Sequence, residues 1–170
     1  HINPLVAEEL LLPTLKPKVD LYPSFIYLIL HFPAFKHSHT GDQNQEVDFV
    51  VGRDFLVTTH YDTIDPLHKF SKVFEVNSIL DRSDIGTHAG YVFYYMLKKL
   101  YKAVEHELEF LNQELLEIEA RVFRGEERRM VERISRASRE ILRFKQSLRA
   151  HREVLESLER AGSILFGEEF

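Results

Sequence analysis

The chain has no cysteine among its 170 residues. Disulfides, thiolate metal sites and cysteine nucleophiles are therefore excluded, which fits a reducing compartment. Long apolar runs are also missing. The longest, Phe25 to Leu30, has the length of a buried strand and falls far short of the roughly 20 residues that span a membrane. No Gly-x-Ser-x-Gly, phosphate loop or dinucleotide fingerprint occurs, so the chain reads as a non-enzyme. Net positive charge is lacking too. A formal charge of −5 argues against a general nucleic-acid binder. The first residues, His1-Ile2-Asn3-Pro4, carry neither an initiator methionine nor a signal-peptide pattern, and lead us to expect a piece of a longer protein.

What remains is globular in composition, with 44% hydrophobic and 29% charged residues. Two stretches repeat apolar residues in steps of three and four. The first, Tyr91 to Val122, places Tyr94, Leu97, Tyr101, Val104, Leu108, Leu111, Leu115, Ile118 and Val122 on one stripe. The second, Met130 to Leu158, does so with Met130, Ile134, Ala137, Ile141, Phe144, Leu148, His151, Leu155 and Leu158. This periodicity predicts two long helices paired as an antiparallel coiled coil, turning at Phe123-Arg124-Gly125-Glu126. The first helix is acidic toward its tip and the second is basic, which suits complementary flanks.

Ahead of the arm, Asn3-Pro4 predicts a capped helix that Pro13 ends after Leu12, with Leu5, Val6, Leu10 and Leu11 facing inward. Phe25 to Phe32 reads as a central strand. Glu46–Val51 and Phe55–His60 read as a hairpin about Gly52-Arg53-Asp54. A helix from Pro66 to Val76 turns Leu67, Phe70 and Phe74 inward. Lys36 to Asn44 and Asp81 to Gly86 are polar connectors, and Thr87 is the expected cap of the first long helix. Three strands are few for a sheet covered on both faces, so further strands are expected upstream.

The order and wording of these parts resemble the cytosolic region of the CorA family of Mg2+/Co2+ transport proteins. Ile2-Asn3-Pro4-Leu5-Val6-Ala7-Glu8-Glu9-Leu10-Leu11 is similar to the family's I-H-P-L-x-L-E-D-I-L. Lys16-Pro17-Lys18-Val19-Asp20 resembles R-P-K-V-E, and Phe55-Leu56-Val57-Thr58-Thr59-His60 resembles N-F-L-V-T-V-H. Arg149-Ala150-His151-Arg152-Glu153-Val154-Leu155 is similar to L-x-P-L-R-E-V-L. The similarity runs through nearly the whole chain in order.

The resemblance implies an α/β fold: an αβα layer sandwich with a small mixed sheet, followed by a long antiparallel helical hairpin. Residues 1–86 would form the α/β part, lacking upstream strands. Residues 87–170 would form the hairpin, leading toward a stalk helix, membrane helices and a Gly-Met-Asn pore, none of them in this sequence. It also implies a homopentamer at the cytosolic face of the cell membrane, with Mg2+ as both transported and regulatory ion. Glu8 and Glu9 stand at the family's paired carboxylates, which help bind regulatory Mg2+ between subunits; the ordinary reading of both is solvated acids near a helix end. Mg2+ prefers oxygen ligands and keeps several waters, so such a site can be weak. Lys98 stands where some members carry an aspartate, and a cation there repels Mg2+. The alternatives are a coiled-coil adaptor without transport and the cytosolic domain of a zinc-exporting relative. His37-Ser38-His39 lacks the further ligands of a closed zinc site and reads as loop. His151, on the seam, reads as a packed histidine hydrogen-bonded across the hairpin.

Overall fold

Side chains alternate across a strand, and two adjacent runs here are apolar at almost every position. β2 (Phe25–Phe32) and β3 (Gln45–Gly52) are accordingly buried on both faces and form the middle of a four-stranded sheet. β1 (Lys18–Leu21) and β4 (Leu56–His60) flank them, and the order β1-β2-β3-β4 follows the chain. The computed structural model describes residues 3–33, 45–61, 64–79 and 88–167. The connectors expected at 36–44 and 81–86 and the cap expected at Thr87 therefore lie outside the described residues. Among those described, the layered α/β architecture is present, while every strand pair is antiparallel rather than mixed. Tyr22–Ser24 and Arg53–Phe55 are each too short for a parallel crossover. β1 itself was not anticipated; its four residues carry no long alternation.

One sheet face carries Ile26, Leu28, Leu30, Phe32, Val47, Phe49 and Val51 into the main core. Three of the helices on this side supply buried residues to that core. α2 (Asp65–Ile79) contributes Leu67 and Phe70; α3 (Ala89–Val122) contributes Phe93, Met96, Leu97, Leu100 and Val104; α5 (His151–Phe166) contributes Val154, Leu158 and Ala161. The opposite face packs Phe25, Tyr27, Ile29 and Val50 against Val6 and Leu10 of the α1 segment. α1 (Pro4–Glu9) begins as predicted, with Asn3 Oδ1 accepting from the Leu5 N–H at 3.0 Å. It is shorter than expected and ends in a tightened turn through Leu12. Its inward face is also narrower: Val6 and Leu10, four apart, meet the sheet, whereas Leu5 and Leu11, each about 100° off that line, are exposed.

α3 has 34 residues, about 50 Å at 1.5 Å per residue. It lacks a side-chain cap; the Ala89 N–H instead donates to the Arg53 C=O at 2.7 Å. At its far end the Glu126 N–H closes onto the Arg121 C=O and the Gly125 N–H onto the Val122 C=O, a Schellman turn. α4 (Glu127–Leu148) then runs back along α3. Leu111, Ile118, Met130 and Ala137 form the tip's own core, and Arg133 bridges to Glu114 and Glu117 on one flank. Leu108, Leu115, Ile134 and Ile141, also expected in the seam, are more than a third exposed on the helix pair. Gly125 has φ of +84° and open space where a Cβ would stand. Gly125→Ala should therefore cost about 1–2 kcal/mol from the left-handed backbone alone; urea unfolding measures it.

The second predicted long helix divides. Arg149-Ala150 is a turn between α4 and α5, with both residues still in right-handed helical geometry. No glycine or proline announces the break. It falls where the chain, with the end of α4 already against β2, turns to run over β1 and β2, and His151 bonds to the His31 C=O.

Candidate functional site

The same alternation that builds the core leaves polar residues on the α1 side of the sheet. His31 and Glu46 are register partners, as are Ile29 and Asp48, and Asp48 and Thr59. This brings Tyr27, His31, Glu46, Asp48 and Thr59 onto one face with Lys18 and Asp20 of β1. Glu46 accepts from the Thr14 N–H with both oxygens, at 2.9 and 2.8 Å. His31 Nε2 lies 2.6 Å from the Thr14 C=O and 3.2 Å from Glu46 Oε2. Asp48 is wholly buried, and its Oδ2 accepts from the hydroxyls of Thr59 at 3.4 Å and Tyr27 at 3.5 Å. Burial first, and then the Glu46 charge, raise the Asp48 carboxyl to about 7. The Tyr27 hydroxyl is pushed up as well, by burial and then by Asp48.

The two acids singled out from the sequence stand at the end of α1, both exposed. They are not equivalent. Glu9 is engaged with Lys18 Nζ at 2.6 Å, and the same ammonium reaches Asp20 at 2.9 Å. Burial opposes the Lys18 charge, but Glu9 and Asp20 together raise its pKa. Around these acids Leu5, Leu11, Leu12 and Leu15 are each at least two-thirds exposed. Lys98 lies on α3, against the other sheet face, with its Nζ 5.9 Å from the Tyr94 ring centroid. Within one chain the sheet thus separates α1 from the helix bearing Lys98. No group of three or more acids or histidines among the described residues is arranged to hold a metal ion. The donors fit a hard cation chemically, since Glu8 and Glu9 offer only carboxylate oxygen, but two carboxylates need further ligands.

His151 is packed as expected. Its Nδ1 lies 2.8 Å from the Tyr101 hydroxyl and its Nε2 is 2.9 Å from the His31 C=O. The carbonyl requires a donor, so the proton sits on Nε2 and Tyr101 donates to Nδ1. Burial lowers the pKa of this imidazole. Beside it an open concavity of about 500 Å³ is lined by Tyr101, Leu148, Leu155 and the charged Arg152, Glu156 and Glu159. His37 and His39 lie outside the described residues. The buried pair Glu46 and Asp48 was not singled out from the sequence. Its signal was there: two acids at alternate positions in Glu46–Val51, whose other residues are valine and phenylalanine.

An α/β head with a two-helix arm growing from its core is the class of structure these elements define. The profile of the CorA-like Mg2+ transporter protein family matches residues 1–169, and the chain belongs to that family. It is 26% identical over 147 residues to the cobalt/magnesium transport protein CorA of Methanocaldococcus jannaschii, covering 85% of this chain and 44% of that protein. It is 22% identical over 162 residues to the protein of the same name from Thermotoga maritima, covering 94% of this chain and 44% of the relative. The chain therefore spans less than half the length of these relatives. Among the described residues no helix is long and apolar enough to cross a membrane.

Proposed function

We propose that this chain is the regulatory and assembly domain of a Mg2+/Co2+ transporter, a non-enzyme working at the cytosolic face of the membrane. The head of residues 1–86 senses, and the arm of residues 87–170 transmits movement toward membrane helices elsewhere in the protein. One observation carries this reading: Glu8 and Glu9 stand exposed on α1 amid exposed leucines, on the sheet face opposite the main core. Exposed apolar residues of this density mark an interaction surface. Ligands that complete a site there would come from a neighbouring subunit in a homopentamer. Mg2+ bound between subunits holds them together; its loss leaves like charges facing one another and frees the subunits to move. Such a ligand shifts the balance only by its difference in affinity for the two states.

In the assembled transporter, millimolar Mg2+ should protect the head against limited proteolysis. Glu8→Gln with Glu9→Gln should raise the midpoint of that protection at least tenfold. The chain by itself should gain no saturable stability from Mg2+ below about 1 mM, since two carboxylates alone do not complete a site. Unaltered protection in the double variant would end the assignment of these two acids.

A further inference from the structure

Glu46 and His31 together bind both backbone polar groups of one residue, Thr14. The carboxylate takes the Thr14 N–H and the imidazole N–H takes the Thr14 C=O, as a neighbouring strand would. Because Nε2 faces two acceptors, it must carry a proton. These bonds fasten the segment after α1 onto the sheet, and with Val6 and Leu10 they hold the helix itself in place.

Two residues along β3, on the same face, stands Asp48. It is fully buried, and among the described residues its Oδ1 meets no donor. Two carboxylates buried on one face cannot both keep their charge cheaply, and full burial favours the neutral form of Asp48. Among the described residues, the other groups on this face do not supply a neutralising charge to Asp48. Tyr27 of β2 and Thr59 of β4 donate hydroxyls, and Lys18 of β1 is taken up by Glu9 of α1 and Asp20. His31 is turned to Thr14 and Glu46, and Tyr61, after β4, feels Asp48 and Glu46 only as further negative charge.

We propose that Asp48 holds a proton beside Glu46 while α1 is docked, and that its release to solvent unfastens residues 10–16 and with them α1: the docking of α1 is a proton-operated clasp. With the proton gone, two carboxylates occupy a buried site. The least costly relief is to let water in by lifting the segment that covers Glu46. Burial and the Glu46 charge place Asp48's titration at about 7, so the clasp works near neutral pH. It stands whether or not Glu8 and Glu9 bind a divalent cation.

Hydrogen–deuterium exchange on the full chain tests it, with rates corrected for their intrinsic pH dependence. Protection of the Thr14 amide should fall at least tenfold between pH 6 and pH 8, while amides of the β2–β3 ladder such as Ile29 and Val50 keep theirs. Asp48→Asn should hold the Thr14 protection at its pH 6 level throughout. Glu46→Gln should lose it at both pH values. Should Asp48→Asn lose the ladder protection too, Thr59→Val serves in its place: removing a donor to the charged form should move the midpoint to higher pH. Thr14 protection that is flat from pH 6 to 8 in the unaltered chain overturns the clasp. So does an unchanged pH response in Asp48→Asn with the ladder intact, or an unmoved midpoint in Thr59→Val.

Discussion

Leu100→Ala should lower the unfolding free energy by about 3–5 kcal/mol, the cost of emptying a large buried site that cannot fully collapse. Leu100 is completely buried at the base of α3, in the cluster that joins the sheet to α2, α3 and α5. Truncating it removes contacts to the head and to the root of the arm at once. The midpoint of urea unfolding should drop with an unchanged slope. Leu108→Ala, two turns farther along the same helix and 43% exposed, should cost about 1 kcal/mol or less. Equal losses at the two positions would mean that the arm and head do not share a core.

His151→Ala should cost about 2–4 kcal/mol. It leaves the His31 C=O without its donor and the Tyr101 hydroxyl without its acceptor, and it opens a void where the ring packs edge-on against Phe32. Tyr101→Phe should cost about 1 kcal/mol, the usual net worth of one hydrogen bond. The double variant should lose less than the two single losses together, because the residues share an interaction. The same histidine makes the chain sensitive to acid. Its folded pKa lies below its unfolded value near 6.5, so the unfolded state binds more protons and stability falls as pH drops through 6.5. Asp48 acts in the opposite sense. Its pKa is raised on folding, so the stability it contributes is fully present below about 4 and lost as pH rises through about 7. His151→Ala should flatten the acid limb of a stability-versus-pH curve and Asp48→Asn the neutral limb.

Much of the architecture was legible because it depends on local chemistry. Asn3-Pro4 caps and starts α1, and Gly125 closes the hairpin tip in a left-handed turn. Apolar residues from Phe25 to Phe32 make a strand wherever water is excluded from both faces. Where expectation and structure part, a nonlocal contact decided. Leu5 and Leu11 were expected inward, yet a six-residue helix turns only one narrow stripe to the sheet. Leu108, Leu115, Ile134 and Ile141 share the heptad of the seam, yet the pairing of α3 with α4 leaves them more than a third exposed. The break at Arg149-Ala150 has no local mark, because it arises where His151 bonds to a carbonyl 120 residues away.

The candidate site divides in the same way. Glu8 and Glu9 were found from their neighbours along the chain, and the structure adds that one of them already holds a lysine. The acids of β3 gave only a weak signal, since a strand's sequence does not say whether its faces will be covered. By itself the sequence determined β2, β3, β4, the start of α1, the long α3 and the turn at the arm's tip, because propensity, capping and periodicity act within a few residues. Only the tertiary structure decided that Asp48 and Glu46 lie buried side by side, with Thr14 fastened over Glu46. A pKa depends on how much water and which charges surround a group, and those are set by segments far apart in the chain.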